Sequence, residues 1–226
     1  MLELYKNRHK GERVVIVCNG PSLNKMDLSF LKNEHVIGLN KIYLGFKKYQ
    51  FYPKYYVAVN EKVLRQSHQE IKKLTCIKFL SARATELFSE NALTHIIDTK
   101  NPKERFSIDL SKGLEEGWTV TYAALQVAYY LGFTKVVIIG MDHKFSFQGE
   151  PNETRFLKGK DNNHFCSTYF ANKEWDNPDL ENSEKSYQIA RKVFENDERN
   201  ILDATLNGAC NVFTKVDYKN VFTLNK

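Results

Sequence analysis

Three asparagines recur at the same point of a repeating pattern. Asn19 follows the run RVVIVC, Asn40 follows VIGL, and Asn60 follows YVAV. A fourth apolar run, KVVII, opens into Gly140-Met141-Asp142-His143. A neutral amide offers both a donor and an acceptor, which suits sugar hydroxyls and nucleobase edges. One asparagine after a strand is usually a turn residue, because it tolerates left-handed geometry and bonds its own backbone. Three on neighbouring strands point instead to a shared polar surface. The first run ends in Asn19-Gly20-Pro21-Ser22. There Gly20 lets backbone approach a ligand, and Ser22 can cap a following helix while nearby amides face an anion. This elbow reads as one wall of a nucleotide or sugar-nucleotide pocket. Neither GxxxxGK(S/T) nor GxGxxG occurs, which disfavours a P-loop ATPase or a dinucleotide oxidoreductase.

Holding these groups together requires strands that run side by side. Apolar, β-branched runs predict strands over 13–18, 35–40, 54–60, 76–80, 94–98 and 135–142. Helical patterns predict a short helix over 26–32 and longer ones over 61–73, 119–132 and 184–195, with a last one near Tyr218. Strands that are apolar throughout must be buried on both faces. With helices between them, they predict a Rossmann-like α/β fold built on a doubly wound, mostly parallel sheet. Ligands of such sheets bind beyond the carboxyl ends of the strands, where the asparagines lie. Residues 145–182 break the pattern: they are polar, aperiodic and rich in aromatics (Phe147, Phe156, Phe165, Tyr169, Phe170, Trp175). A connection of that length and composition predicts a lid or small subdomain on a single domain spanning 1–226.

Thirty-three basic residues against 27 acidic ones give a net charge of +6, which favours an anionic partner such as a nucleotide or an acidic glycan. The densest basic stretches, KGKDNNH and FKKYQFYPK, are too sparse for a nucleic-acid arm, so nucleic acid is not expected as a partner. Cys18, Cys76, Cys166 and Cys210 stand far apart without a CxxC spacing and read as reduced thiols of a cytoplasmic protein. No signal-peptide core and no run of 18 apolar residues occurs, so any membrane association would be peripheral, at the inner membrane surface. The sequence leaves a homo-oligomer open.

The blocks CNGPSL, GLNKIY, VAVNEKV, TVTYAALQVAYYLGFTKVVIIGMDHKF, DNNHF and ILDATLNGACNVF resemble the family once called DUF115, now labelled 6-hydroxymethylpterin pyrophosphokinase-like or MptE-like. That family includes the motility-associated flagellin glycosylation factors. The order of the blocks is also similar, more remotely, to the bacterial sialyltransferases of glycosyltransferase family 42. The resemblance runs from about residue 13 to 214 and implies a glycosyltransferase A-like sheet. It implies that Asn19, Gly20, Pro21 and Ser22 form the elbow at the nucleotide and donor sugar. Asn40 and Asn60 would bind cytidine or sugar hydroxyls, Thr119 and Thr121 would face the donor from a helix start, and Gly140 and Asp142 would lie beside the ribose or base. His164 falls in the block that matches the histidine-bearing lid. Two positions depart from the sialyltransferase pattern: Ser167 and Thr168 stand where a second histidine follows, and Lys144, preceded by His143, replaces a tyrosine.

The reaction so implied moves a sialic-acid-like sugar from a CMP-sugar or other nucleotide donor to a glycan or glycoprotein acceptor. No Asp-x-Asp occurs, and a CMP-sugar releases a single phosphate, so neither metal nor another cofactor is expected. Lys144, Lys160 and Tyr169 are candidate phosphate partners. Attack by a hydroxyl needs a base that titrates near neutrality, and His164 and His143 are the candidates. Trp175 and Phe170 either stack on the acceptor or anchor the lid. Two other classes stay open. A pyrophosphokinase would draw on Asp142, Asp161 and Asp179 for Mg²⁺. A non-catalytic nucleotide- or glycan-binding module would need the asparagines alone.

Overall fold

The computed structural model describes residues 2–99 and 105–222. Its centre is an eight-stranded sheet made of β1 (Arg13–Val17), β2 (His35–Leu39), β3 (Tyr55–Ala58), β4 (Ile77–Ser81), β5 (Thr94–Ile97), β6 (Lys135–Ile139), β9 (Asn200–Asp203) and β10 (Thr214–Lys215). Every pairing in it is parallel. The order is β10-β9-β6-β1-β2-β3-β4-β5. The chain thus winds outward from β1 to β5, returns to the far side of β1, and winds outward again. The winding reverses between β1 and β6, the place where open α/β sheets carry their ligand crevice.

Alternate residues of each strand feed two cores. Val14, Ile16, Val136 and Ile138 pack on one face with α3 (Val120–Tyr130) and α4 (Leu180–Asn196). Val15, Val17, Val137 and Ile139 pack on the other with α2 (Glu61–Lys72) and with aromatics of 165–175. Burial on both faces is why these strands are apolar throughout. α3 is apolar on all sides because it is buried on all sides, and the left-handed Gly132 (φ 92°) stops it as expected. The buried Gln126 of α3 accepts the N–H groups of Ser107 and Glu115 and donates to the Glu115 carbonyl, which fastens the loop ahead of the helix onto the helix itself.

Several elements differ from the sequence reading. The helix expected over 26–32 is two 3-10 turns, Pro21–Lys25 and Ser29–Asn33. The Asp27 carboxylate accepts the Ser29 N–H at 2.9 Å, an Asx turn that competes with continuous helix. α4 begins four residues early, because Asp179 caps it through the Asn182 N–H at 3.0 Å. The segment 145–182 holds an antiparallel hairpin, β7 (Thr154–Leu157) with β8 (Lys173–Asp176), whose strands are joined by 15 residues. There are also two one-turn helices, α1 (Phe46–Tyr49) and α5 (Tyr218–Val221), and further short 3-10 turns. All four cysteines are free. No helix among the described residues is long and apolar enough to cross a membrane.

Candidate active site

The carboxyl ends of β1, β2, β3 and β6 open into a cavity of about 730 Å³, within the range of small-molecule sites. Asn19, Gly20, Asn40, Asn60, Thr119, Thr121, Gly140, Asp142, His143, His164 and Tyr169 all line it. Pro21, Ser22, Lys144 and Lys160 do not.

The elbow is built around Asp142. Its carboxylate accepts the Ser22 N–H at 3.0 Å and the Ser22 hydroxyl at 2.6 Å. Asp142, from the neighbouring strand end, therefore caps the turn that Ser22 was expected to cap. Gly20 is required by the protein itself, because a Cβ there would lie 1.9 Å from the Asp142 carboxylate and 2.6 Å from the Gly140 carbonyl.

Each strand-end asparagine has a structural duty. Asn60 caps α2, accepting the Val63 N–H at 3.0 Å, and its amide nitrogen faces Asp176 at 3.4 Å. Asn40 takes the left-handed conformation (φ 48°) that the turn reading anticipates. Asn19 donates to the Leu39 carbonyl at 3.2 Å and so ties β1 to β2. Yet the amide oxygens of Asn19 and Asn40 are buried with no hydrogen-bond partner among the described residues. Buried acceptors left unpaired are costly, which suits groups that a ligand's hydroxyl or amino group completes.

His164 is held from several sides on the cavity wall. Its Nδ1 lies 2.8 Å from the Asp161 carboxylate. Its ring stacks on Tyr169 at 4.0 Å and meets Phe145, Phe170 and Trp175 edge-on. No hydrogen bond from a described residue engages its Nε2. Asp161 is 3% exposed. Burial pushes its carboxyl up, but the His164 imidazole and the N–H groups of Asn163 and Phe170 outweigh that and hold it below the usual carboxylate value. With Nδ1–H donated to a carboxylate, Nε2 keeps its lone pair.

His143 is held differently. It is left-handed (φ 53°) with Nε2 3.0 Å from Glu184. Burial lowers its pKa against the opposing pull of Glu184. Thr119 caps α3 through the Thr121 N–H and meets the Tyr187 hydroxyl at 3.2 Å. Tyr169 presents its ring, while its hydroxyl accepts the Lys41 N–H at 3.3 Å. Lys144 and Lys160 are exposed, and Lys144 donates to the Asn207 carbonyl. These two lysines are not gathered at the cavity with the other candidates.

Several roles went unnoticed in the sequence. Asp161, weighed there only as a carboxylate for Mg²⁺, stands three residues before His164, a spacing that could have marked it as the group orienting the imidazole. Lys41 is buried, and its amine donates to the Tyr169 carbonyl at 2.9 Å and to Gln66 at 3.1 Å. Burial, with the Lys173 charge, brings its pKa down to about 8. At the rim, Lys62 pairs with Asp176 at 2.8 Å and Arg83 with Glu116 at 2.7 Å. Trp175 and Phe170 are buried, whereas the exposed ring on the cavity wall is Trp118.

A parallel, doubly wound sheet with a polar cavity at its switch point defines a Rossmann-like fold, and glycosyltransferases share it. The structure is similar to the MAf glycosyltransferase from Magnetospirillum magneticum AMB-1 (TM-score 0.57, 14% identity, 96% of this chain). This chain spans only 37% of the length of that protein. It is also similar to the sialyltransferase CstII from Campylobacter jejuni in complex with a substrate analogue, cytidine-5'-monophosphate (TM-score 0.51, 16% identity, 92% of this chain and 85% of that one). At these identities the likeness is one of fold. The chain itself belongs to the 6-hydroxymethylpterin diphosphokinase MptE-like family, whose profile matches residues 1–148. No curated protein matches it.

Proposed function

We propose that the protein is a glycosyltransferase that moves a sialic-acid-like sugar from a CMP-sugar to a hydroxyl of a glycan or glycoprotein. The observation that carries this reading is His164, held at Nδ1 by a buried carboxylate while its Nε2 stays free on the cavity wall. In the reaction Nε2 accepts the acceptor's hydroxyl proton as the oxygen bonds to the anomeric carbon. The bond from that carbon to the phosphate oxygen breaks, and CMP leaves with the electron pair. Asp161 keeps the imidazole in the competent tautomer and balances its charge once protonated. The unpaired amide oxygens of Asn19 and Asn40 support a donor rich in hydroxyl and amino groups. Residues 145–182 hold His164 on the cavity wall and supply the lid over the donor.

The family description favours a second reading, ATP-dependent diphosphate transfer. Against it, the carboxylates that would serve Mg²⁺ are dispersed in other duties: Asp142 holds Ser22, Asp161 holds His164, and Asp179 caps α4. Thermal unfolding with CMP, UDP-sugars or ATP, each with and without Mg²⁺, separates the two. CMP or a CMP-sugar is expected to raise Tm without added metal. Strong stabilisation by ATP that needs Mg²⁺, with none by CMP, overturns the transferase reading.

A further inference from the structure

The opposite end of the sheet, where the strands begin, carries a second group of histidines that the transfer reaction does not use. His9 lies in the loop before β1, Glu12 ends that loop, and His35 opens β2. One Glu12 oxygen is 2.8 Å from His9 Nδ1 and 2.6 Å from His35 Nε2. All three ligand atoms lie within 4.8 Å of one another.

The group is preorganised. His9 is 4% exposed, and its ring stacks on Phe133 at 4.5 Å with the planes 3° apart. Its Nε2 meets the Tyr55 hydroxyl at 2.7 Å, the kind of partner that orients a ligating imidazole from behind. The loop is fixed by the Asn7 and His9 N–H groups on the Tyr130 and Leu131 carbonyls at the end of α3. Lys54 is a nearby charge that opposes a cation there. His35 and Glu12 are partly exposed, which leaves a way in from solvent.

We propose that His9 Nδ1, His35 Nε2 and a Glu12 carboxylate oxygen form a binding site for a divalent transition metal, zinc by its preference for two imidazoles and one carboxylate. Zinc–ligand bonds of about 2.0–2.1 Å in a tetrahedron separate the ligand atoms by roughly 3.3 Å. The half-exposed Glu12 side chain reaches that spacing by withdrawing less than about 1 Å, and water takes the fourth position. On binding, the His9 proton moves from Nδ1 to Nε2 and is donated to the Tyr55 hydroxyl, while His35 moves its proton from Nε2, where it faces Glu12, to Nδ1. The metal clamps the loop before β1 to the starts of β2 and β3. It takes no part at the cavity, which lies at the other end of the same strands.

The test is zinc titration of the chelator-stripped full chain against a competing indicator, with Co²⁺ absorption as a second readout. One equivalent is expected to bind at about 1 µM or tighter and to raise Tm, and Co²⁺ is expected to give the visible bands of a four-coordinate site. His35→Ala and Glu12→Gln alter partly exposed side chains, and each should weaken binding at least about tenfold. Cys210→Ser, which disrupts the other His–Glu–Cys grouping (His143, Glu184, Cys210), should leave binding unchanged. Binding weaker than about 100 µM by the parent chain overturns the proposal. So does an undiminished site in both His35→Ala and Glu12→Gln.

Discussion

Two histidine–carboxylate pairs, each three residues apart in sequence, sit at opposite ends of the sheet. In Asp161/His164 the carboxylate is buried and the imidazole reaches the cavity with one nitrogen free. In His9/Glu12 the imidazole is buried with both nitrogens engaged, and the carboxylate is half exposed. The pairs use the same chemistry at contacts of 2.8 Å. What differs is which member is desolvated. A buried carboxylate makes an oriented base of its partner, whereas a buried imidazole becomes a fixed strut with a ligand face. Both pairs share one spacing in sequence, and only burial tells them apart.

The contrast can be tested by breaking each part in turn. His164→Ala should lower turnover by roughly two to four orders of magnitude while donor affinity stays nearly constant, because the base acts on the acceptor. Steady-state kinetics with separate donor-binding measurements check this, and near-normal turnover would shift the base to His143. Gly20→Ala comes next. Its new Cβ meets the Asp142 carboxylate and the Gly140 backbone, so a loss of about 1–3 kcal/mol in stability is expected, readable by denaturant unfolding.

Asn60→Ala removes a helix cap and should cost about 1 kcal/mol. Asn60→Ser restores the cap, so recovery of Tm without recovery of nucleotide affinity separates the structural duty from the binding role. If both recover together, Asn60 is a cap and nothing more. The smallest effect concerns acid stability. Asp161 titrates lower in the folded chain than in the unfolded one. Its contribution is therefore present above the unfolded carboxylate value of about 3.9 and is lost as pH falls through that range. Asp161→Asn should flatten the fall in Tm on the acid side. An unchanged acid limb would mean that the pair carries no net coupling.

The parallel sheet was legible because strands buried on both faces must be apolar at every position, as Val14 to Val17 are. β7, with three exposed residues of four, and the two-residue β10 carry no such signal. At the site, the asparagines were visible because three of them follow apolar runs at matching positions, and eleven of the fifteen residues expected to bind or catalyse line one cavity. The partners they answer to were not visible. Ser22 lies 120 positions from Asp142, and Lys41 lies 128 from Tyr169, so only the folded chain brings them together. Lys160 was selected for its charge and Lys144 also for its place after the β6 end, and neither charge nor place in sequence gives a side chain its direction.

Phe165 donates its N–H to the Asn19 carbonyl at 2.9 Å and accepts the Asn24 amide at 2.8 Å. Lys41 grips Tyr169 twice, through its own N–H and its amine. The middle of 145–182 is thus bolted to the strand ends that line the cavity. Mechanically it is a beam clamped at mid-span, and displacement of one flank is not transmitted through the clamp to the other. A lid movement of the exposed β7 side, on the transferase reading, would leave His164 in place relative to Asn19. On the transferase reading, the gate that admits substrate and the ruler that sets the proton's path are separate devices, and either can change in sequence without detuning the other.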